Sequence, residues 1–92
     1  MKPFRWNTDK NIELRAKRGI SFEHIVVAIE SGDGLLSIMP HPNSAKYPNQ
    51  QILVVACDGY VYLVPFVEEE EHFFLKTIIP SRKATRDYLS RR

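Results

Sequence analysis

The dipeptide Asp58-Gly59 constrains the fold of this chain more than any other feature, because it separates two runs rich in β-branched and aromatic residues, 51–57 and 60–67. A two-residue hairpin loop of type I′ needs positive φ at both central residues, and Asp-Gly is one of the pairs that tolerate it best. The loop fixes the strand register and predicts pairs of Cys57 with Tyr60, Val55 with Tyr62 and Leu53 with Val64. Both faces of this hairpin are apolar, so we expect both to be covered.

Two helices are predicted before the hairpin. Residues 9–18 follow an Asn7-Thr8 cap and end at Gly19, the usual position for a residue that stops a helix. Ser21 is the predicted cap of the second helix, whose apolar residues Phe22, Ile25, Val26 and Ile29 have the spacing of one buried face. The glycines at 32 and 34 end it.

The remaining segments complete the predicted order ααββββα. Residues 35–39 read as a short strand, 40–50 as a proline-bounded loop, 72–79 as a third long strand, and 82–92 as a C-terminal helix capped by Ser81. The inward positions of that helix are predicted to be Ala84, Tyr88 and Leu89. We therefore expect one α+β domain over residues 1–92, with two N-terminal helices, an antiparallel sheet of about four strands, a C-terminal helix, and helices mainly on one face.

Composition narrows the class of protein. The 92 residues are 43% hydrophobic and 26% charged, which is typical of a soluble globular domain. The apolar stretches are far shorter than the roughly 18 residues of a membrane-spanning helix. The N-terminal residues lack the apolar region of a signal peptide, and the single Cys57 excludes an internal disulfide. We expect a cytoplasmic protein.

Charge is segregated along the chain. Residues 1–18 hold six basic and two acidic residues, residues 68–71 are four glutamates, and residues 72–92 hold six basic residues and one acidic residue. A fold that brings the two ends together would create a basic patch for phosphate. The alternative is that these charged residues simply lie on solvated helix faces, which explains the same numbers of charges. The four glutamates are interpreted as a solvated turn.

No motif of strict spacing for ATP, NAD or zinc chemistry is present, and no metal or cofactor is expected. His24, His41 and His72 are isolated candidates for acid or base chemistry, with His41 sharing the long loop with Lys46. The tyrosines at 60 and 62 could stack on bases or pack across strands. The segment 80–86 is the most suggestive, because three cations and two hydroxyls at a helix N-terminus favour an anionic ligand.

Three blocks of sequence resemble one family. They are Phe4-Arg5-Trp6-Asn7 with Lys10, then Lys17-Arg18-Gly19-Ile20-Ser21-Phe22-Glu23, and finally Ile78-Ile79-Pro80-Ser81-Arg82-Lys83-Ala84-Thr85. Their order and separation resemble the BrnT toxins of type II toxin-antitoxin systems, small proteins with a RelE-like ribonuclease fold. The resemblance implies a metal-independent endoribonuclease that cleaves RNA and inhibits translation. It also implies neutralisation by a ribbon-helix-helix antitoxin, with operator DNA bound only by the complex.

The resemblance, together with the chemistry that RNA cleavage and binding need, gives candidate roles to particular residues. Arg82 and Lys83 match the family's basic pair and, with Lys76 as proton carrier, are the catalytic candidates. The predicted RNA-binding residues are Lys17, Arg18, Tyr62, Thr77 and Arg86. Arg18 stands where the family has a histidine, and Thr77 where an arginine is expected on the last strand.

Two questions stay open at this point. The length of the turn after residue 67 decides whether Lys76 or Thr77 lies opposite Tyr62. The alternative function is a non-catalytic RelE-like module that acts through a protein partner or through RNA binding.

Overall fold

A computed structural model of the chain describes residues 2–90, which form an α+β fold of three helices and a mixed six-stranded sheet. The elements in chain order are β1 (Phe4–Trp6), α1 (Thr8–Arg18), α2 (Phe22–Glu30), β2 (Leu35–Pro40), β3 (Gln50–Cys57), β4 (Tyr60–Glu68), β5 (Phe73–Leu75), β6 (Ile79–Pro80) and α3 (Arg82–Leu89). The sheet order is β1-β5-β4-β3-β2. After β5 ends, β6 pairs with β4 on the side away from β3. None of the helices within residues 2–90 is long and apolar enough to cross a membrane.

The predicted helix caps are confirmed. The Asn7 side chain accepts a hydrogen bond from the Lys10 amide at 2.9 Å, and Gly19 ends α1 in the left-handed region with φ of 68°. Ser21 caps α2, and Ser81 caps α3 by accepting from the Ala84 amide at 3.0 Å. The predicted extension of α3 to residue 92 is wrong at residue 90, because the helix ends at Leu89 with Ser90 as its C-cap, and residues 91 and 92 lie outside the described part.

The hairpin is also confirmed. Asp58 and Gly59 have φ of 53° and 79°, and the three predicted cross-strand pairs are present in the β3–β4 register. A local turn signal is sufficient here, because a two-residue loop leaves the strands no freedom to slip.

The prediction of a purely antiparallel sheet of about four strands is wrong. Residues Phe4–Trp6, for which no strand was predicted, form β1 and pair in parallel with β5, with Phe4 opposite Phe73 and Trp6 opposite Leu75. Lys2 supports the junction through a 2.8 Å ion pair with Glu68. A strand of three residues is too short to show a period of two, so the sequence carries no signal for it.

The predicted long strand 72–79 is interrupted. Phe66 lies opposite Leu75 and Leu63 opposite Ile79, so two residues of β4 face three residues, 76–78. This one-residue excess is a β-bulge. It lies beside Pro65, which has no N–H to donate, and whose carbonyl accepts from the Lys76 amide at 2.8 Å.

Both faces of the sheet carry helices. The core on one face joins α1 and α2 to alternate residues of β3 and β4, including Phe22, Ile25, Leu53, Val55 and Val64. α3 packs on the other face, where Ala84 and Tyr88 border Val54 and Leu63. Tyr88 lies toward the sheet as predicted, but it is only partly covered and remains 44% exposed. Ala84 and Leu89 are half-buried.

Candidate nucleic-acid interface

The start of α3 is fixed to the edge of β4. The Ser81 amide donates to the Val61 carbonyl at 3.0 Å, and the Val61 amide donates to Thr85 Oγ1 at 2.9 Å. Thr85 Oγ1 in turn donates to the Ser81 carbonyl at 2.7 Å. Both backbone groups of a fully buried strand residue are thereby satisfied, so the first turn of α3 has a defined position.

Three cations extend from this helix into solvent. Arg82, Lys83 and Arg86 are exposed, and we refer to them as the α3 basic face. Lys83 Nζ lies 3.6 Å and Arg86 Nε 3.9 Å from oxygens of the single carboxylate Asp87. Among residues 2–90, no carboxylate lies within 4.0 Å of Arg82. The face therefore keeps a net positive charge beside the exposed N–H groups of the first helical turn.

Arg18 connects α1 to the same region. Its guanidinium donates a hydrogen bond to the Ile78 carbonyl, the last residue before β6. Arg82 follows β6 two residues after it ends, so the two arginines flank this short strand. Arg18 was predicted to bind RNA, and the structure gives it a contact within the fold as well.

Tyr62 lies on the α1–α2 face of β4. Its cross-strand neighbours are Val55 and Pro80, and its ring lies 5.6 Å from the Tyr60 ring. Partial burial, aided by the nearby Cys57 and Asp58, raises the pKa of the Tyr62 phenol. The hydroxyl is therefore protonated at neutral pH and can donate a hydrogen bond, but it does not serve as a base.

Lys76 lies on the opposite face. Leu75 points into the core, whereas Lys76 Nζ lies 5.4 Å from the ring of Phe74, which alternates to the other face. Because Glu68 pairs with Phe73 and β6 places Pro80 opposite Tyr62, neither Lys76 nor Thr77 lies there, and both alternatives for that pairing are wrong. Lys76 and Tyr62 are not brought to one site.

The other predicted residues are dispersed. Thr77 is half-buried within the bulge. Lys17 is exposed on α1, and its Nζ hydrogen-bonds Glu13 at 3.0 Å. The structure thus groups Arg82, Lys83 and Arg86 on α3, and leaves Arg18 and Lys17, both on α1, outside that group.

The histidines have local contacts. His24 Nδ1 accepts from the Ser21 amide at 3.1 Å in the α2 cap, and His41 Nδ1 accepts from the Asn43 amide at 3.0 Å. His72 Nε2 lies 3.0 Å from Glu69 in the otherwise exposed glutamate turn. Burial, aided by Asp58, raises the pKa of the Cys57 thiol, so it is not a thiolate nucleophile. Within residues 2–90, no group of three His, Cys, Asp or Glu side chains could hold a metal ion.

Sequence reasoning missed the role of Thr85. It was counted among the hydroxyls available to a ligand, but its oxygen joins α3 to β4. The spacing of Ser81 and Thr85, four residues apart at a helix start, is the signal for the Ser81 contact. Its strand partner Val61 is distant in sequence and gives no such signal.

Comparisons of the chain with protein-family models, with curated proteins and with solved structures find no match.

Proposed function

We propose that this chain is a BrnT-like toxin that acts on RNA in the cytoplasm, cleaves it without a metal and is neutralised by a ribbon-helix-helix antitoxin. The observation that supports this best is the α3 basic face, in which three exposed cations extend from a helix whose first turn is fixed to β4. A helix fixed to the sheet binds phosphate through its cations with less loss of backbone freedom than a mobile segment does.

Cleavage of RNA without a metal needs three actions at one phosphate. The ribose 2′-hydroxyl attacks, its proton is accepted, and the leaving oxygen is protonated while the added negative charge is stabilised. In this proposal Arg82 and Lys83 stabilise that charge, and Arg86, one turn beyond Arg82, binds a neighbouring phosphate. Lys76 is the candidate proton carrier, because its side chain lies on the face of the sheet that α3 covers.

A second candidate is an RNA-binding protein that does not cleave its ligand. The separation of Lys76 and Tyr62 onto opposite faces of the sheet favours it, since two groups able to transfer or donate protons are then not on one side of a bound phosphate. Both candidates use the α3 basic face. They differ only in whether RNA is cut.

Controlled expression with growth and RNA integrity followed together tests the proposal. The double variant Arg82→Ala, Lys83→Ala should abolish both growth arrest and RNA cleavage, and circular dichroism should show an unchanged fold because both side chains are exposed. The matched control is Arg5→Ala, Lys46→Ala, which removes two exposed cations elsewhere and should keep both effects. Equal loss in both double variants would point to net charge alone.

Lys76→Ala distinguishes the two candidates. Lost cleavage with retained RNA binding supports the ribonuclease, whereas growth arrest by the unchanged protein with RNA left intact supports the binding protein. The antitoxin is tested separately by mixing the chain with the ribbon-helix-helix product of a neighbouring gene. Elution as one complex is expected, and two separate species would contradict the proposed partnership.

A further inference from the structure

A groove of about 550 Å³ lies where α2, the β3–β4 turn and the end of α3 meet. Its wall carries the small or aliphatic side chains of Val27, Ala28, Ala56 and Leu89. Val27 is 65% exposed, so the apolar surface of this wall is open to solvent. This part of the surface offers apolar contact to another molecule.

Carboxylates surround this apolar wall. Glu23 comes from the first turn of α2, Asp33 from the loop after α2, and Asp58 from the hairpin turn. Within residues 2–90, neither aspartate has a cationic nitrogen within 4.0 Å, and Glu23 has Arg15 at 3.4 Å. The groove is therefore locally acidic in a chain whose net charge is +2. We call it the acidic groove.

The walls of the acidic groove are held by the fold. The Gly34 amide donates to the Ala28 carbonyl at 3.1 Å, and the Gly34 carbonyl accepts from the Ala56 amide at 2.7 Å. These contacts join the end of α2 to β3 directly below the groove. A preformed site of this kind binds without the loss of free energy that ordering a loop requires.

We propose that the acidic groove binds a basic amphipathic helix of a partner protein. Aliphatic side chains of such a helix would contact Val27 and Leu89, and flanking lysines or arginines would pair with Asp33 and Asp58. Nucleic acid is excluded as the occupant by like charge, since its phosphates would face the carboxylates. The inference does not depend on RNA binding, because Arg82 and Lys83, the two cations removed in the RNA test, lie at the other end of α3, a helix about 12 Å long.

The test measures fluorescence anisotropy of a labelled amphipathic helical peptide of leucine and lysine added to the full chain. Val27→Lys places a cation in the apolar wall and should weaken binding about tenfold or more. Ile12→Lys is the matched control, because Ile12 is 61% exposed on α1 and does not line the groove, and binding should be unchanged. Asp33→Asn, Asp58→Asn should weaken binding and flatten its salt dependence.

Two further arms complete the test. The same peptide with glutamate in place of lysine should not bind, and the Arg82→Ala, Lys83→Ala variant should bind the lysine peptide as the unchanged chain does. Equal binding of both peptides, equal loss in Val27→Lys and Ile12→Lys, or no binding to the unchanged chain would overturn the inference. A growth-arrest defect of the α3 variant with normal peptide binding would separate this surface from the proposed RNA site.

Discussion

At the scale of single residues, Asn11 joins the first two helices. Its side chain is 8% exposed, accepts from the Phe22 amide at 2.8 Å and donates to Glu23 Oε1 at 2.8 Å. Asn11→Ala leaves a buried Phe22 amide without a partner, so we expect the free energy of unfolding to fall by about 1–3 kcal/mol. Denaturant unfolding of the variant and of the unchanged chain measures this difference in free energy. Ile12→Ala, at an exposed neighbour, should change stability by less than about 0.5 kcal/mol, and equal losses would contradict the assignment.

Glu23 makes stability depend on pH. The hydrogen bond from Asn11, helped by the helix-start amide of Glu23 itself, holds the pKa of this carboxyl below its ordinary value of 4.5. A lowered pKa in the folded state stabilises the protein above the ordinary pKa, and this contribution is lost as pH falls through the lowered value. Because the side chain is half exposed, we expect at most about 1 kcal/mol.

The comparison for this prediction is Glu23→Gln, studied by urea unfolding at neutral and at acid pH. The unchanged chain should be the more stable at neutral pH, and the difference should vanish in acid. A difference that is the same at both pH values would show that the ionised form has no special role.

Residue-scale features were predictable where their partners are near in sequence. The caps at Ser21 and Ser81 and the stop at Gly19 each depend on residues within four positions. Asn11 shows the opposite case. A lone polar residue inside a helix gives no pattern, and its partners lie on a different helix whose packing angle the sequence does not state.

At the scale of elements, Gly34 allows the chain to pass close to the backbone of α2 just before β2 begins. A Cβ at this position would overlap the Ala28 carbonyl, which belongs to helix backbone and has little room to move. We expect Gly34→Ala to destabilise the fold by more than about 2 kcal/mol. Thermal unfolding of Gly59→Ala provides the comparison. Gly59 has φ of 79° but open space around it, so this variant should lose about 1–2 kcal/mol of stability. A larger loss of stability in Gly59→Ala than in Gly34→Ala would contradict the close approach of Gly34 to α2.

Thr85 determines how α3 is attached to the sheet. Thr85→Val has nearly the same shape but leaves the fully buried Val61 amide unpaired, so a loss of about 1–3 kcal/mol is expected. Thr85→Ser keeps the hydroxyl and should recover most of that loss. Amide hydrogen exchange at Val61 checks the cause directly, because exchange should become faster in the valine variant only.

Elements were predictable when the signal lay within the element. The β3–β4 hairpin is specified by its own turn, and α1 and α2 by their own caps and periodicity. The interruption after β5 was not predictable, because its physical cause is Pro65 on the neighbouring strand. The residues of the interrupted segment are themselves good strand formers.

At the scale of the whole molecule, RNA binding should follow the charge of the α3 basic face. Loss of two phosphate contacts in Arg82→Ala, Lys83→Ala should reduce the slope of log affinity against log salt by about 1.4 for single-stranded RNA. The Arg5→Ala, Lys46→Ala variant should keep the slope of the unchanged chain. Titration of labelled RNA at several salt concentrations provides the slopes, and an unchanged slope in the first variant would place the phosphate contacts elsewhere.

The composition of the α3 basic face was predictable from sequence, but its surroundings were not. Its three cations lie within five residues of chain, so any helix there would present them together. The N-terminal cations do not join them as a block, since Lys2 pairs with Glu68 and Lys17 with Glu13. Which of these residues meet depends on the bulge and on the parallel strand, both set by contacts distant in sequence.

The parallel pairing of β1 with β5 constrains the order in which this protein can fold during synthesis. Phe4 and Trp6 are made 69 residues before their strand partners Phe73 and Leu75. Until then two large aromatic side chains and a strand edge have no native neighbour, and closure of so long a loop is slow. The nascent chain is therefore open to proteases and to binding by chaperones while the residues between β1 and β5 are made, and the complete sheet forms only after β5 has followed.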